Sequence, residues 1–147
     1  TKHLLATLAI AGLVGAAANA VAPGKRPLSS MTPAFVEGPD GLMIVGTPGG
    51  SRIISMVLLA TLDRLAGRSA TQIVAAPRFH HQYWPDVVQY EPGSLTDAEI
   101  AALTSLGHRL APTRMPWGNL QVVTWDYASG AIEAASDPRG AGAGHVY

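Results

Sequence analysis

The chain has 147 residues, 48% of them hydrophobic and only 14% charged. That length suits one ordinary domain with a real core, and the apolar balance calls for an efficient core or a covering partner. Ten Lys and Arg offset ten Asp and Glu, so there is no basic stripe for nucleic acid, and the absence of Cys excludes disulfides, thiol nucleophiles and thiolate metal sites.

Lys2 precedes an apolar run from Leu4 to Ala18, and Ala18-Asn19-Ala20 has the small-x-small form of a signal-peptidase site. The run is too short for a convincing membrane span. Two readings stand: a secretory leader, or a folded domain that already includes Ala11 to Ala20. The boundaries adopted are an atypical N-terminal segment over 1–10 and a single domain over 11–147. Pro23, Gly24, Pro27 and Pro33 then make Val21 to Pro33 an ordered loop. Strands are predicted over Ala34–Glu37 and Leu42–Gly46, joined as a hairpin by Gly38-Pro39-Asp40-Gly41.

Ile53, Ile54, Val57, Leu58, Leu62 and Leu65 recur at helical spacing, and Gly67 supplies the stop. Ser69 with Gln72, and Thr96 with Glu99, form capping-box patterns that open two shorter helices. The first ends before Pro77 and the second at Gly107. Val87–Glu91 is a predicted strand, and Leu120–Asp126 with Ala131–Ala135 form a second hairpin around Tyr127-Ala128-Ser129-Gly130. Strands and helices in blocks imply an α+β fold with a mainly antiparallel sheet.

Among candidate sites, Thr47-Pro48-Gly49-Gly50-Ser51-Arg52 lies between a strand and a helix. Adjacent glycines there permit φ > 0, and their N–H groups could stabilise an anion or a developing oxyanion. The alternative is a plain turn with Ser51 as the N-cap. Ser29-Ser30, after Lys25-Arg26, could hold a carboxylate or be solvated turn serines. His80 and His81 are adjacent, so on an extended segment they point to opposite faces and do not share a metal. Asp137-Pro138-Arg139-Gly140 could brace a loop through an Asp–Arg pair, or form a surface tail.

Five motifs in order resemble the small, catalytic subunit of γ-glutamyltranspeptidases (glutathione hydrolases). They are Gly12-Leu13-Val14-Gly15; Ala18 to Pro33; Pro48-Gly49-Gly50-Ser51-Arg52-Ile53-Ile54; Ala76-Pro77-Arg78-Phe79-His80-His81-Gln82; and Gly118-Asn119-Leu120-Gln121 with Ala135-Ser136-Asp137-Pro138-Arg139. The resemblance implies the αββα sandwich of N-terminal-nucleophile hydrolases, incomplete in this chain. It further implies a zymogen that cuts itself to expose a threonine, which attacks γ-glutamyl amides such as glutathione. By that resemblance Ser29 and Ser30 bind the substrate's α-carboxylate, and Gly49 and Gly50 form the oxyanion hole. No metal or cofactor is implied. The expected partner is the large subunit of the same precursor, or a second copy, in the periplasm or outside the cell.

Thr1-Lys2-His3 is similar to the family's Thr-Thr-His opening, but Gly12 follows far sooner than in the family. Thr1 is therefore either the nucleophile of a chain with a deletion or the start of a truncated product. A non-catalytic fragment packing with a partner, and an acylase of the glutaryl β-lactam type, are the competing functions.

Overall fold

A computed structural model describes residues 20–26 and 28–147. Thr1, the apolar run and Gly12-Leu13-Val14-Gly15 lie outside the described residues. The chain divides into two units, Thr1–Ser30 and Met31–Tyr147. In the first, Pro23 and Gly24 form a turn closed by the Lys25 N–H on the Ala22 carbonyl at 3.2 Å. Gly24 has φ 71°, a left-handed value that favours glycine.

The second unit is α+β, as the blocks of strands and helices implied. Strands β1 (Ala34–Gly38), β2 (Gly41–Gly46), β6 (Gln121–Asp126) and β7 (Ile132–Ser136) form an antiparallel sheet in the order β1-β2-β6-β7. Both predicted hairpins are present. A two-residue link, Pro39-Asp40, joins β1 to β2, and Gly41 is obligatory because a Cβ there would lie 2.1 Å from the Trp125 carbonyl oxygen. In the other turn the Asp126 carboxylate accepts from the Ser129 N–H at 2.7 Å.

Alternation along β2 and β6 sends Met43, Val45, Val122 and Thr124 to one face, where all four are buried. Helices α1 (Ile53–Leu65) and α2 (Ala70–Ala75) cover that face, α1 against β2 and α2 against β6 and β7. Ile53, Met56, Val57, Ala60, Ile73, Val74 and Leu120 complete the core. Each large aliphatic side chain buried there stabilises the fold by about 1.5–3 kcal/mol.

Two short strands escaped sequence reading. β3 (Phe79–His80) pairs antiparallel with β4 (Val88–Tyr90), and β5 (Leu110–Pro112) pairs parallel with β4. Helix α3 (Asp97–Ser105) precedes β5. The two predicted capping boxes open α2 and α3, with both reciprocal bonds formed in each. Gly67, at φ 79°, ends α1 as expected, its N–H on the Arg64 carbonyl at 3.0 Å. The outward face of α1 differs from a simple amphipathic pattern, because Ile54, Leu58, Leu62 and Leu65 are all exposed. Among the described residues no helix is long and apolar enough to cross a membrane.

Candidate active site: a braced glycine turn

The turn from Thr47 to Arg52 carries the chain from β2 into α1. Gly49 has φ 146° and ψ 13°, and Gly50 has φ 59°. A short 3-10 turn (Gly50–Arg52) follows, with the Arg52 N–H on the Gly49 carbonyl at 3.3 Å. Ser51 is not an N-cap: that position is Gly49 for the 3-10 turn and Arg52 for α1, with no side-chain cap in either case. The plain-turn reading thus loses its capping role. Gly49 and Gly50 are exposed, and among the described residues neither N–H is spent on an internal acceptor. Two donors at the positive end of a 13-residue helix suit a developing negative charge.

Several contacts fix this turn. Thr47 is buried, and its hydroxyl accepts from the Asn119 N–H at 3.1 Å while lying 2.9 Å from the Pro48 carbonyl. The Gly118-Asn119 loop is thereby tied to the glycine turn. Next to it, the Arg52 guanidinium stacks 5.1 Å from the Trp117 ring centre and donates to Gln89 Oε1 at 2.6 Å.

Beneath the loop lies a buried ion-pair network. Arg78 Nη2 donates to Asp137 Oδ2 at 2.6 Å, and Arg78 Nη1 to the Trp117 carbonyl at 2.9 Å. Asp137 also accepts from the Leu120 N–H at 2.9 Å and from Arg139 Nη1 at 3.0 Å. Arg139 grips Glu91 with Nε at 3.1 Å and Nη2 at 2.6 Å. The Asp–Arg brace read from the sequence is therefore real, and it reaches a second arginine, Arg78, to which the sequence reading gave no part in the brace. Burial pushes the Asp137 carboxyl up, but the N–H groups of Leu120 and Arg139 and both guanidiniums outweigh it, leaving its pKa below the ordinary value. For Arg139, burial favours the neutral form, and Glu91 and Asp137 more than reverse that.

The paired histidines part company as expected. His80 is buried between Ser55 Oγ at 2.8 Å and Gln82 Oε1 at 3.0 Å, whereas His81 Nε2 meets Asp86 at 2.8 Å. Burial, ahead of the Gln82 contact that opposes it, holds His80 below its usual pKa. Among the described residues no group of three His, Asp or Glu is placed to hold a metal ion.

In the first unit, Ser29 is exposed and Ser30 half-buried, both outside helix and strand. Thr1 is outside the described residues, so no geometry attaches to it.

A strand-to-helix turn with two exposed glycines, leaving a four-stranded antiparallel sheet, places the candidate site in an α+β unit. The family model for gamma-glutamyltranspeptidase matches residues 6–147. The chain belongs to the γ-glutamyltranspeptidase family. It is 41% identical over 131 residues to the glutathione hydrolase proenzyme of Escherichia coli K12, covering 87% of this chain and 22% of that protein. It therefore spans about a fifth of the curated relatives it matches first. Among solved structures, a mutant Helicobacter pylori gamma-glutamyltranspeptidase superposes with a TM-score of 0.76 at 33% identity, over 87% of this chain and 70% of that one. The Pseudomonas nitroreducens gamma-glutamyltranspeptidase complexed with L-DON gives 0.75 at 37% identity, over 92% and 72%.

Proposed function

We propose that this chain is the small-subunit part of a γ-glutamyl hydrolase and transferase, acting on glutathione and other γ-glutamyl amides. The observation that carries the reading is the glycine turn, whose two exposed N–H groups are held by contacts from three separate segments. A threonine hydroxyl attacks the γ-glutamyl carbonyl carbon and passes its proton to that threonine's own α-amino group. Gly49 and Gly50 stabilise the resulting oxyanion, and each such donor is worth about 10²–10³ in kcat. Collapse breaks the C–N bond, and the departing amine takes the proton. Water or an acceptor amine then cleaves the ester, yielding glutamate or a new γ-glutamyl compound.

Thr1 is the candidate for that nucleophile, and Ser29 and Ser30 the candidates for the α-carboxylate site. The scaffold is read as one half of the αββα sandwich of N-terminal-nucleophile hydrolases. Support comes from the second face of the four-stranded sheet, where Phe35, Ile44, Val123, Trp125 and Ile132 are exposed. A further β layer from a large subunit of the same precursor would cover it. The expected location is the periplasm or the cell exterior.

The test is turnover of a γ-glutamyl-4-nitroanilide by the natively assembled protein and its Gly50→Ala variant. A Cβ at Gly50 would meet nothing within 4 Å, so the substitution perturbs the backbone at φ 59° without a clash. The expected result is measurable wild-type turnover that falls about 10²-fold in the variant. Equal kcat in both proteins refutes the oxyanion role, and no turnover in either refutes the function.

A further inference from the structure

Met56 lies in the first turn of α1 and is 1% exposed. Its thioether occupies a slot that only glycines could leave open. A Cβ on Gly49 would stand 2.6 Å from Met56 Cε, and a Cβ on Gly118 would stand 2.3 Å from Met56 Sδ. Both glycines hold left-handed φ values, 146° and 83°. Thus two loops distant in sequence close on the same side chain. The sulfur also lies 3.9 Å from Thr47 Oγ1 and 3.8 Å from Arg78 Nη1, contacts of the soft kind that thioethers make.

Met56 also lines a partly open cavity of about 300 Å³ together with Leu59, Ala60, Ile73, Phe79 and Leu120. Met is unbranched, with several rotatable bonds, so a side chain in this place has room to withdraw. Its Sδ and Cε fill the space between Gly49 of the glycine turn and Gly118 of the Gly118-Asn119 loop.

We propose that Met56 is a positioning residue that sets the aim of the Gly49 and Gly50 N–H groups. This inference rests on the oxyanion role given to that turn. A donor is effective only when held about 2.7–3.1 Å from the oxyanion, so a turn free to settle into the cavity loses transition-state binding more than substrate binding. Met56 does not touch substrate. It acts through the two glycines.

The experiment compares Met56→Ala and Met56→Leu in the natively assembled protein. It reads kcat and KM with a γ-glutamyl-4-nitroanilide, normalised by active-site titration, and the glycine amide resonances of a ¹⁵N-glycine-labelled sample. For Met56→Ala, kcat should fall about 10-fold with KM within about twofold, the signature of an interaction realised in the transition state. The Gly49, Gly50 and Gly118 resonances should shift, and Met56→Leu, which refills the slot, should recover most of the loss. A Met56→Ala kcat equal to wild type after titration overturns the proposal, because a purely structural role changes only the folded fraction. A wild-type protein without turnover overturns the γ-glutamyl reading instead. In that case glycine resonances unmoved by Met56→Ala overturn the positioning role as well, and shifted ones uphold its structural part.

Discussion

Asp137 accepts four hydrogen bonds on two oxygens, from the N–H groups of Leu120 and Arg139 and from both guanidiniums. Its side chain is fully buried, as is nearly all of Arg78. Removing one member of such a pair strands the other charge, which costs about 3–5 kcal/mol, whereas replacing both by apolar groups costs far less. Asp137→Asn should therefore lower unfolding free energy by about that amount in urea titrations, and the Asp137→Leu/Arg78→Leu pair should be milder than the sum of its single changes. A strictly additive double variant would argue against the network. Acid sensitivity follows from the same residues. The Asp137 pKa is lowered from 3.8, so its contribution is complete above that value and is lost as pH falls through the depressed one. His80 is lowered from 6.5, so the unfolded chain takes up its proton first and stability declines as pH drops below 6.5. The urea midpoint should thus be flat above about pH 7.5 and fall on acidification toward pH 5; a midpoint that rises over that interval contradicts the assignment.

At the scale of elements, the capping boxes do unequal work. Ser69 opens α2, a six-residue helix that buries Ala70, Ile73 and Val74 and whose first N–H is bound by Glu133 at 2.7 Å. Ser69→Ala should cost about 1 kcal/mol of global stability. Helix α3 buries no residue, so Thr96→Ala should loosen only its own first turn, seen as faster amide exchange near Asp97–Glu99 with little change in the urea midpoint. These boundaries were legible because Ser69-Gln72, Thr96-Glu99, Gly67 and Gly107 act through local bonds. The buried face of α1 was less so. Ile54, Leu58 and Leu62 keep helical spacing as well as Ile53 and Val57 do, yet only the latter pair is buried, since periodicity alone does not choose between two apolar faces. β3 and β5 are two and three residues long and exist through pairing with β4, so no run of alternation announces them.

For the second unit as a whole, the feature that matters is an apolar sheet face whose side chains stay exposed among the described residues. Phe35, Ile44 and Val123 stand in one cross-strand row, and Trp125 and Ile132 in the next. Contiguous apolar surface of this kind on a sheet marks an interface. Expressed without a partner, the chain should self-associate, and Trp125→Glu should shift it toward monomer in sedimentation; an unchanged, fully monomeric wild type would contradict that. The site itself was partly legible. Gly49 and Gly50 announce themselves as a glycine pair between strand and helix, and Asp137 with Arg139 as a brace. Met56 carries no such mark, and Thr47 and Arg78, though they stand in stretches the sequence picks out, show nothing there of their bracing roles, because these depend on Gly118, Asn119 and Trp117, which only the fold brings near.

The most direct test of the central claim is to trap the acyl-enzyme. The natively assembled protein would be quenched in acid during turnover of a γ-glutamyl amide and its peptides mapped by mass spectrometry. The account predicts one glutamyl acyl group in ester linkage to a threonine at a free amino terminus, with less of it in Gly50→Ala. Turnover without such an adduct, or an adduct on another residue type, would contradict it.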